Sequence, residues 1–463
     1  MERSAIHYLK NWLISADRKP LVMRGARQVG KTWLIRHFAE ISGKQLIEIN
    51  FEKQPSHASL FDSNDPQNIL FNLSAVHHQS HDPNNSFLFL DEIQAAPAIF
   101  SKLRWFAEEL PQLPVIAAGS LLEFMLADHS FSMPVGRISY MHLEPLSFEE
   151  FLLANDKKNL YAYLIEYDIK NAMPLALHEQ FMSLFKEYIL VGGLPAAVVS
   201  WITERSLQKV NMIQHDLLAT YRDDFAKYKG RLAIERLNEV LMAVPKMLGQ
   251  KFMFSRVNAS IQTNTVKQVL DLLGKARICH RVSASAANGI PLAAEMKEKY
   301  FKEIFLDTGL CGALLGLDLN QLNNANEVTL INSGGIAEQV VGQILRTLDP
   351  SYREPALYYW LREEKGSSAE IDYVIQHGNK VIPIEVKAGS TGSLKSLHVY
   401  MSLKKLPLAI RINSDQPYIT AVEVKDRGDA EIKYSLLSIP FYLVGQIHRL
   451  LDIDIHKPIV NRP

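Results

Sequence analysis

The sequence predicts an α/β protein whose N-terminal third is a parallel β-sheet covered by helices. Short apolar runs alternate there with helix-length amphipathic segments, which is the pattern of such a sheet. A glycine-rich stretch, GARQVGKT, follows the first apolar run and opens an amphipathic segment. Beyond residue 150 the pattern becomes helical, and from about residue 301 helix and strand candidates mix again.

The first 150 residues contain four strand candidates, namely LVMRG (21–25), LIEINFE (46–52), FLFLDEI (87–93) and PVIAAGS (114–120). The remainder divides into a helical segment (151–230), a small helical unit that ends in a hairpin (231–300) and a second α/β domain (301–463). The break GGLPAA at 192–197 and the turn that begins at Asp307 are predicted to pack domains together, and no chemistry is assigned to them.

Composition excludes several classes of protein. Of the 463 residues, 47% are hydrophobic and 22% are charged, which is typical of a globular chain. Only two cysteines occur, Cys279 and Cys311, so a disulfide scaffold or a cysteine-based zinc site is not expected. The sequence has no apolar run of spanning length and no signal-peptide pattern at its N-terminus, which predicts a cytoplasmic protein with no membrane partner.

The segment Gly25–Thr32 matches the phosphate-binding pattern G-x-x-x-x-G-K-[ST]. Its backbone N–H groups would point at phosphate oxygens, Lys31 would reach the β- and γ-phosphates, and the Thr32 hydroxyl would bind Mg²⁺. The match predicts a P-loop NTPase sheet with ATP and Mg²⁺ as cofactors. The predicted nucleotide-binding residues are Gly25, Ala26, Arg27, Gln28, Val29, Gly30, Lys31, Thr32 and Asp91.

The run FLFLDE (87–92) would supply the acidic partner of this loop. A buried strand that ends in Asp91 places a carboxylate where it holds Mg²⁺, usually through water. The adjacent Glu92 suits a base that activates the attacking water, which indicates hydrolysis. Ser120, at the end of the next strand candidate, is predicted to sense the γ-phosphate or to position that water. The alternative is an ordinary serine in a strand-to-helix turn.

Arg137, in VGRISY, has two interpretations. It could be an arginine finger that stabilises transition-state charge across the interface of a homo-oligomer. A surface salt bridge explains it equally well.

These motifs carry a family resemblance. RGARQVGKTWLI, FLFLDEIQ, AAGSLLEF and GRISYMHLEPLSFEEFL resemble the ATPase half of prokaryotic AAA+-related ATPases that end in the domain of unknown function 4143. KEYILVGGLPAAV, KEIFLDTGLCGALLG and AEIDYVI…IPIEVKAG are similar to the downstream half of that family. The resemblance implies an ATPase with a winged-helix unit between two larger domains.

The middle of the chain is basic. Residues 231–300 contain 11 Lys/Arg and 5 Asp/Glu in a chain whose charges otherwise balance. Within it, FSRVNASIQTNTVKQVLDLLGKARICHRV predicts helix, turn, helix and strand, and the second helix would turn its polar start outward, as a recognition helix does. These outward residues are Thr263, Asn264, Thr265, Lys267 and Gln268. Lys275, Arg277 and Arg281 would contact phosphates, which makes nucleic acid, DNA above RNA, a candidate partner. A packing module with a solvated basic face is the alternative.

Near the C-terminus, Asp372 in EIDYVI and Glu385 with Lys387 in IPIEVKAG form D-x12-E-x-K. On neighbouring strands the two carboxylates would bind one Mg²⁺, and Lys387 would position a water or stabilise charge. Glu338, on the preceding helix, would add an acidic group. The order of elements is similar to the PD-(D/E)XK nuclease core. Two alternatives are an inactive docking platform and a buried ion-pair network.

The interpretation that unites these features is a Mg²⁺-dependent ATPase that couples its nucleotide state to nucleic acid. One alternative is a nucleotide-controlled switch or scaffold that binds a protein partner through an inactive nuclease-like domain. Another is a nuclease gated by ATP.

Overall fold

The computed structural model describes residues 1–120, 122–123, 133–228, 233–316, 333–364, 367–389, 393–425 and 431–453. The chain folds as two compact units. Unit 1 comprises Met1–Pro145, Lys275–Ile278 and Asp349–Glu354, and unit 2 contains the rest. Among the helices in these ranges, none is both long and apolar enough to cross a membrane.

Unit 1 is an α/β layer structure. Its elements are α1 (Ala5–Ile14), β1 (Leu21–Arg24), α2 (Lys31–Ser42), β2 (Gln45–Asn50), α3 (Pro66–His77), β3 (Ser86–Asp91), α4 (Leu103–Glu109), β4 (Val115–Ala118) and β5 (Ser139–His142). In the described residues the five strands form one parallel sheet in the order β2-β3-β4-β1-β5.

The strands of unit 1 form because their sequences suit a sheet that is covered on both faces. All six residues of β3 are buried, as are all four of β4, and such continuous apolar runs are typical of parallel strands. Helix α2 packs its apolar face, which includes Leu34 and Phe38, inward. The four predicted strands are confirmed. Strand β5 was not predicted because its sequence, SYMH, has no apolar run like those of β1 and β4, which are equally short.

The first part of unit 2 is helical, as predicted. The helices of the unit are α5 (Phe148–Ala154), α6 (Lys158–Glu166), α7 (Leu175–Val191), α8 (Pro195–Glu204), α9 (Leu207–Tyr228), α10 (Ile234–Lys246), α11 (Thr263–Lys275, its last residue in unit 1), α12 (Thr308–Leu314), α13 (Ser333–Arg346), α14 (Lys395–Lys404) and α15 (Ile447–Asp452). The GGLPAA break separates α7 from α8, and Gly193 N donates to Asp307 Oδ2 over 2.6 Å. These two turns therefore pack against each other within unit 2.

The strands of unit 2 are β6 (Cys279–Ser285), β7 (Met296–Phe305), β8 (Leu357–Glu364), β9 (Ser367–His377), β10 (Lys380–Val386), β11 (Leu408–Asn413), β12 (Tyr418–Lys425) and β13 (Glu431–Pro440). Within the described ranges they form one mixed sheet in the order β12-β13-β11-β10-β9-β8-β6-β7. Helix α13 packs against β7, β8 and β10, and α14 packs against β9 and β13.

The hairpin β6–β7 is continuous with the C-terminal strands. Strand β6 pairs antiparallel with β7 and parallel with β8, so the hairpin extends the sheet that carries β9 and β10. The predicted boundary at residue 300 therefore lies within β7. The division into four segments remains a prediction.

Candidate functional site

The carboxyl edge of the unit 1 sheet gathers polar side chains from several strands. Asn50 and Asp91 are the last residues of β2 and β3, Ser120 follows β4, and the glycine-rich loop follows β1. Parallel strands place their carboxyl ends at one edge of a sheet, where open α/β proteins bind ligands. The topology thus brings together residues that are far apart in the sequence.

The glycine-rich loop is held tightly between β1 and α2. A Cβ atom at Gly25 would lie 2.5 Å from the backbone oxygen of Leu143, so only glycine fits there. The loop turns through left-handed conformations at Gln28 and Gly30 before α2 begins at Lys31. The Arg3 guanidinium donates to Val29 O over 3.1 Å and to Glu144 O over 2.7 Å. These contacts fix the loop conformation from the N-terminal side of the chain.

Lys31 is buried at the start of α2. Its ammonium donates to the carbonyl oxygens of Gly25 and Ala26 over 2.9 and 2.8 Å, which holds Nζ over the loop. Burial lowers the pKa of Lys31 to about 8, although the neighbouring carboxylates oppose the shift. An anion bound at the loop would stabilise the charged form of this lysine.

Thr32 and Asp91 face each other across the sheet edge. The Thr32 hydroxyl lies 3.3 Å from both carboxylate oxygens of Asp91, and Asn50 Nδ2 donates to Asp91 Oδ2 over 3.0 Å. Burial, with Glu92 adjacent, raises the pKa of Asp91 to about 6. A hydroxyl and a carboxylate are the hard oxygen ligands that Mg²⁺ prefers, and a cation there would stabilise the ionised form of Asp91. The donor set of the predicted magnesium site therefore fits the metal.

Glu92 leaves the sheet in a left-handed conformation with φ of 50°. Its Oε2 accepts from Gln94 Nε2 over 2.6 Å and from both the backbone N–H and the hydroxyl of Ser120 over 3.4 Å. A non-glycine residue in this conformation is uncommon and is typical of functional sites. The structure thus joins the predicted base and the predicted sensor in one hydrogen-bonded group.

Arg137 lies on the surface of unit 1. Its Nε forms an ion pair with Glu108 Oε1 at 2.6 Å, and about half of its side chain is exposed. The salt bridge of the second interpretation is therefore present. The finger role stays a prediction, and an exposed guanidinium suits it because a partner subunit could reach it.

The prediction that Arg277 contacts phosphate is wrong. Its side chain is only 4% exposed and belongs to unit 1, where it pairs with Glu123 at 2.9 Å, Glu144 at 3.4 Å and Glu354 at 2.9 Å. Its Nη2 also donates to His142 Nδ1 over 2.8 Å. A guanidinium surrounded in this way has no donor directed at an external phosphate.

Helix α11 has the two faces that the sequence predicts. The buried residues are Val266, Val269, Leu270, Leu272 and Leu273. Thr263, Asn264, Lys267 and Gln268 are exposed, and Thr265 is half-buried. Lys275 is also exposed, whereas Arg281 pairs with Glu303 at 3.3 Å and lies 4.2 Å from the centre of the Phe301 ring. Polar and cationic groups are therefore available on this surface.

In unit 2, strands β9 and β10 are antiparallel neighbours with Tyr373 opposite Ile384, which places Asp372 beside Glu385. Lys387 Nζ lies 2.6 Å from Glu385 Oε1, and Val386 N donates to Asp372 Oδ2 over 2.8 Å. Burial and the adjacent Asp372 raise the pKa of Glu385 to about 7. The D-x12-E-x-K residues therefore converge as predicted.

A lysine outside that motif also enters the cluster. Lys302 on β7 forms ion pairs with Glu338 at 2.9 Å, with Glu370 at 2.5 Å and with Asp372 at 3.8 Å. Among the residues that the structure describes, no group of three acidic, histidine or cysteine side chains is arranged to hold a metal ion. The cluster therefore does not fit the Mg²⁺ that a nuclease would use, and metal binding by Asp372 and Glu385 remains a prediction without support from these contacts.

Sequence reasoning missed residues such as Asn50 and Lys302 that the structure places at these sites, and it assigned Arg277 the wrong role. Asn50 lies within the strand candidate LIEINFE (46–52), whereas the observed strand ends at Asn50 and so places its side chain at the carboxyl edge. Arg277 resembled a DNA-binding residue because it lies in the basic region 231–300, and the sequence of that region does not show which of its side chains are buried. Lys302 lies in the strand YFKEIF, where nothing in the local pattern distinguishes it from an exposed lysine.

Comparison with known families matches three models to the chain. Residues 17–152 match an AAA domain, residues 182–321 match the domain of unknown function 8612, and residues 333–433 match the domain of unknown function 4143. The AAA and 4143 matches confirm the family resemblance of the motifs, and the AAA match supports ATP hydrolysis in general. No curated protein matches the sequence significantly.

Two solved structures are similar in part. The Aeropyrum pernix Orc1 protein in complex with DNA aligns with 69% of this chain and 92% of its own, at 11% identity and a TM-score of 0.27. The Thermotoga maritima RuvB Holliday junction branch migration motor aligns with 61% of this chain and 90% of its own, at 13% identity and a TM-score of 0.27.

Proposed function

We propose that this chain, which joins an AAA domain to a domain of unknown function 4143, binds ATP with Mg²⁺ and hydrolyses it at the carboxyl edge of the unit 1 sheet. The observation that carries the proposal is the position of Glu92. Its carboxylate contacts Ser120 and follows Asp91 directly, while Asp91 contacts Thr32 on the phosphate-binding loop. The glycine-rich loop, the proposed cation ligands and the proposed base thus lie at the same edge of the sheet.

Each residue of this site would have a separate role in ATP binding or hydrolysis. The loop N–H groups and the Lys31 ammonium would hold the phosphates, and Thr32 with Asp91 would hold the cation. Bound Mg²⁺ would neutralise charge on the phosphate oxygens. Glu92 would orient a water and accept its proton, and Ser120 would keep the Glu92 carboxylate in position through the 3.4 Å contacts. The expected products are ADP and phosphate.

Two substitutions separate binding from hydrolysis. Lys31→Ala should remove most nucleotide affinity because it deletes the charge that faces the phosphates. Glu92→Gln should retain binding and lower turnover by about 100- to 10,000-fold, since the water loses its base. Fluorescent-nucleotide titration and phosphate release measure the two effects. Hydrolysis by Glu92→Gln at the wild-type rate would show that another group is the base.

We further propose that nucleic acid, DNA in the first instance, binds the exposed face of α11. The favouring observation is that Asn264, Lys267 and Gln268 are exposed beside one another at the start of the helix, with Lys275 exposed at its end. Side chains of these types read base edges and phosphates respectively. Coupling of this surface to ATP hydrolysis would make the protein a nucleic-acid-dependent ATPase.

A double substitution tests the nucleic-acid proposal. Changing Lys275 and Arg281 to glutamine should weaken DNA binding across sequences and flatten the log–log salt dependence by about 1.8, because each phosphate contact contributes roughly 0.9. The matched control changes Lys158 and Lys209, two exposed lysines on α6 and α9, and should leave the slope unchanged. Substitution of Asn264 or Gln268 should change sequence preference instead. Equal affinity of the double variant and the wild type would indicate a packing module.

The competing functions give different results with one protein preparation. A nucleic-acid-coupled ATPase hydrolyses ATP faster with DNA and leaves the DNA intact. A switch or scaffold for a protein partner shows the same rate with and without DNA. An ATP-gated nuclease cleaves DNA in a metal-dependent manner that Glu385→Ala abolishes while ATP hydrolysis continues.

A further inference from the structure

The cluster between α13 and strands β7, β9 and β10 contains more acidic than basic groups. Four carboxylates meet there, from Glu338, Glu370, Asp372 and Glu385, and two ammonium groups oppose them, from Lys302 and Lys387. Such a concentration of buried negative charge needs a cation, because an unpaired buried carboxylate is strongly unfavourable.

We propose that the Lys302 ammonium takes the place of a divalent metal ion in this cluster, so that the C-terminal domain keeps a nuclease-like arrangement of strands but neither binds a metal there nor cleaves nucleic acid. The proposal is independent of the ATPase site, because every residue that it uses lies in unit 2.

The contacts of Lys302 match those expected of a bound cation. An ammonium group has three donors and no acceptor, and three carboxylates lie around Nζ at 2.9 Å for Glu338, 2.5 Å for Glu370 and 3.8 Å for Asp372. The three partners come from a helix and from two positions on one strand. Lys302 thus links α13 with β9, two of the three elements whose carboxylates the predicted metal ion would share.

The burial of Lys302 also distinguishes it from a surface lysine. Its side chain is 3% exposed, and Nζ lies 5.2 Å from the centre of the buried Tyr359 ring. Burial alone would lower the pKa of Lys302, but the carboxylates of Glu338, Asp372 and Glu370 outweigh it and hold that pKa well above its ordinary value. The surrounding carboxylates therefore favour the charged ammonium form of this buried side chain.

The carboxylate of Glu338 is also in close contact with a neighbouring backbone segment. A Cβ atom at Gly249 would lie 2.7 Å from Glu338 Oε1, so the backbone there packs directly on the carboxylate. The second oxygen of Glu385, Oε2, is buried and has no hydrogen-bond partner among the described residues.

Removal of the lysine should turn the cluster into a metal site. The test uses the nucleotide-free full-length chain with Asp91→Asn, which removes the cation ligand of unit 1, and measures Mn²⁺ binding by electron paramagnetic resonance. This parent chain should bind no Mn²⁺ in unit 2. Adding Lys302→Ala should raise Mn²⁺ affinity at least about tenfold, because the acidic groups lose their internal cation. Its melting temperature should be lower than that of the parent in EDTA and should recover with Mn²⁺.

Lys387→Ala is the matched control, since it removes the other lysine but leaves Lys302 among the carboxylates, and it should gain no Mn²⁺ site. If Lys302→Ala does not fold, Mn²⁺ binding by the parent chain still tests whether the cluster holds a metal ion while Lys302 is present. Mn²⁺ binding by the parent that Glu338→Gln abolishes would overturn the proposal, as would a folded Lys302→Ala protein that binds no metal. Metal-dependent DNA cleavage by the wild type that is lost in Asp372→Asn would overturn it as well.

Discussion

At the scale of single residues, the ionisation of Lys31 links the fold to the proposed chemistry. The lysine is buried at the first turn of α2, and this burial lowers its pKa to about 8. The carboxylates of Glu92, Glu123 and Asp91 limit the shift, whereas the charge of Arg277 adds to it. A nucleotide whose phosphates face the ammonium would raise the pKa of Lys31 again, so binding takes up a proton above pH 8.

This linkage predicts a pH dependence of ATP binding. The complex holds more protons than the free protein when the pH exceeds about 8, so affinity should fall as the pH rises from 8 to 10, by as much as about tenfold per pH unit. Below pH 8 this lysine should contribute little change. Isothermal titration of ATP at several pH values measures the effect. Lys31→Arg is the control, because a guanidinium does not titrate in this range, and an equal slope in both proteins would assign the dependence to another group.

At the scale of elements, the short segment Lys275–Ile278 is notable. It belongs to unit 1, although the residues on both sides of it in the sequence belong to unit 2. Arg277 adopts a left-handed conformation with φ of 59° and pairs with carboxylates from separate segments of unit 1. Ion pairs of one guanidinium therefore connect the segment to the rest of unit 1, and the segment continues directly from α11, the proposed nucleic-acid helix.

Removal of this guanidinium should destabilise unit 1. Arg277→Ala removes the guanidinium that Glu123 and Glu144 share. Breaking a buried pair costs about 3–5 kcal/mol, and the lower end is expected here because Glu123 keeps its ion pair with Arg24 at 3.2 Å. Thermal or urea unfolding measures the loss. Glu354→Gln is the matched control, because Glu354 is 64% exposed and pairs with the same guanidinium, and it should change stability by less than about 1 kcal/mol. Similar losses in both variants would contradict the buried network as the source of stability.

At the scale of the whole molecule, the position of Arg137 bears on whether copies of this chain assemble into a homo-oligomer. Its guanidinium is half-exposed and is held by Glu108 on the surface of unit 1. An exposed arginine of this kind could complete the nucleotide site of a neighbouring copy, which is how arginine fingers act in trans. The homo-oligomer that this requires is a prediction that follows from the arginine-finger interpretation of Arg137.

Mixing of two inactive variants tests the assembly. If Arg137 acts in trans, Arg137→Ala and Lys31→Ala proteins should each be inactive alone and should recover part of the ATPase rate when combined, because some interfaces then contain one intact loop and one intact finger. The rate per subunit of the wild type should also rise with protein concentration. A rate independent of concentration, without recovery on mixing, would leave Arg137 as a surface ion pair.

The sequence predicted what depends on local pattern and missed what depends on long-range packing. Strands β1 to β4 and the loop at Gly25 were predictable because apolar runs and glycine spacing are local signals. The convergence of Asp372 and Glu385 followed from adjacent strands. The burial of Arg277 and the entry of Lys302 into the acidic cluster could not be predicted, since each depends on residues more than 30 positions away. The sequence around a charged residue can look the same whether its side chain is exposed to solvent or forms a buried ion pair.

The hairpin β6–β7 limits how the chain can be dissected into fragments. Strand β6 pairs with β7 on one side and with β8 on the other. A fragment that starts at residue 301 would lose β6, and the backbone groups of Leu357–Tyr359 would become an unpaired strand edge, which promotes aggregation between molecules. Such a fragment would also lose half of β7, although it would keep Lys302 itself. If that fragment were insoluble, the cause would be the unpaired edge of β8. The result would then say nothing about the role of the C-terminal domain.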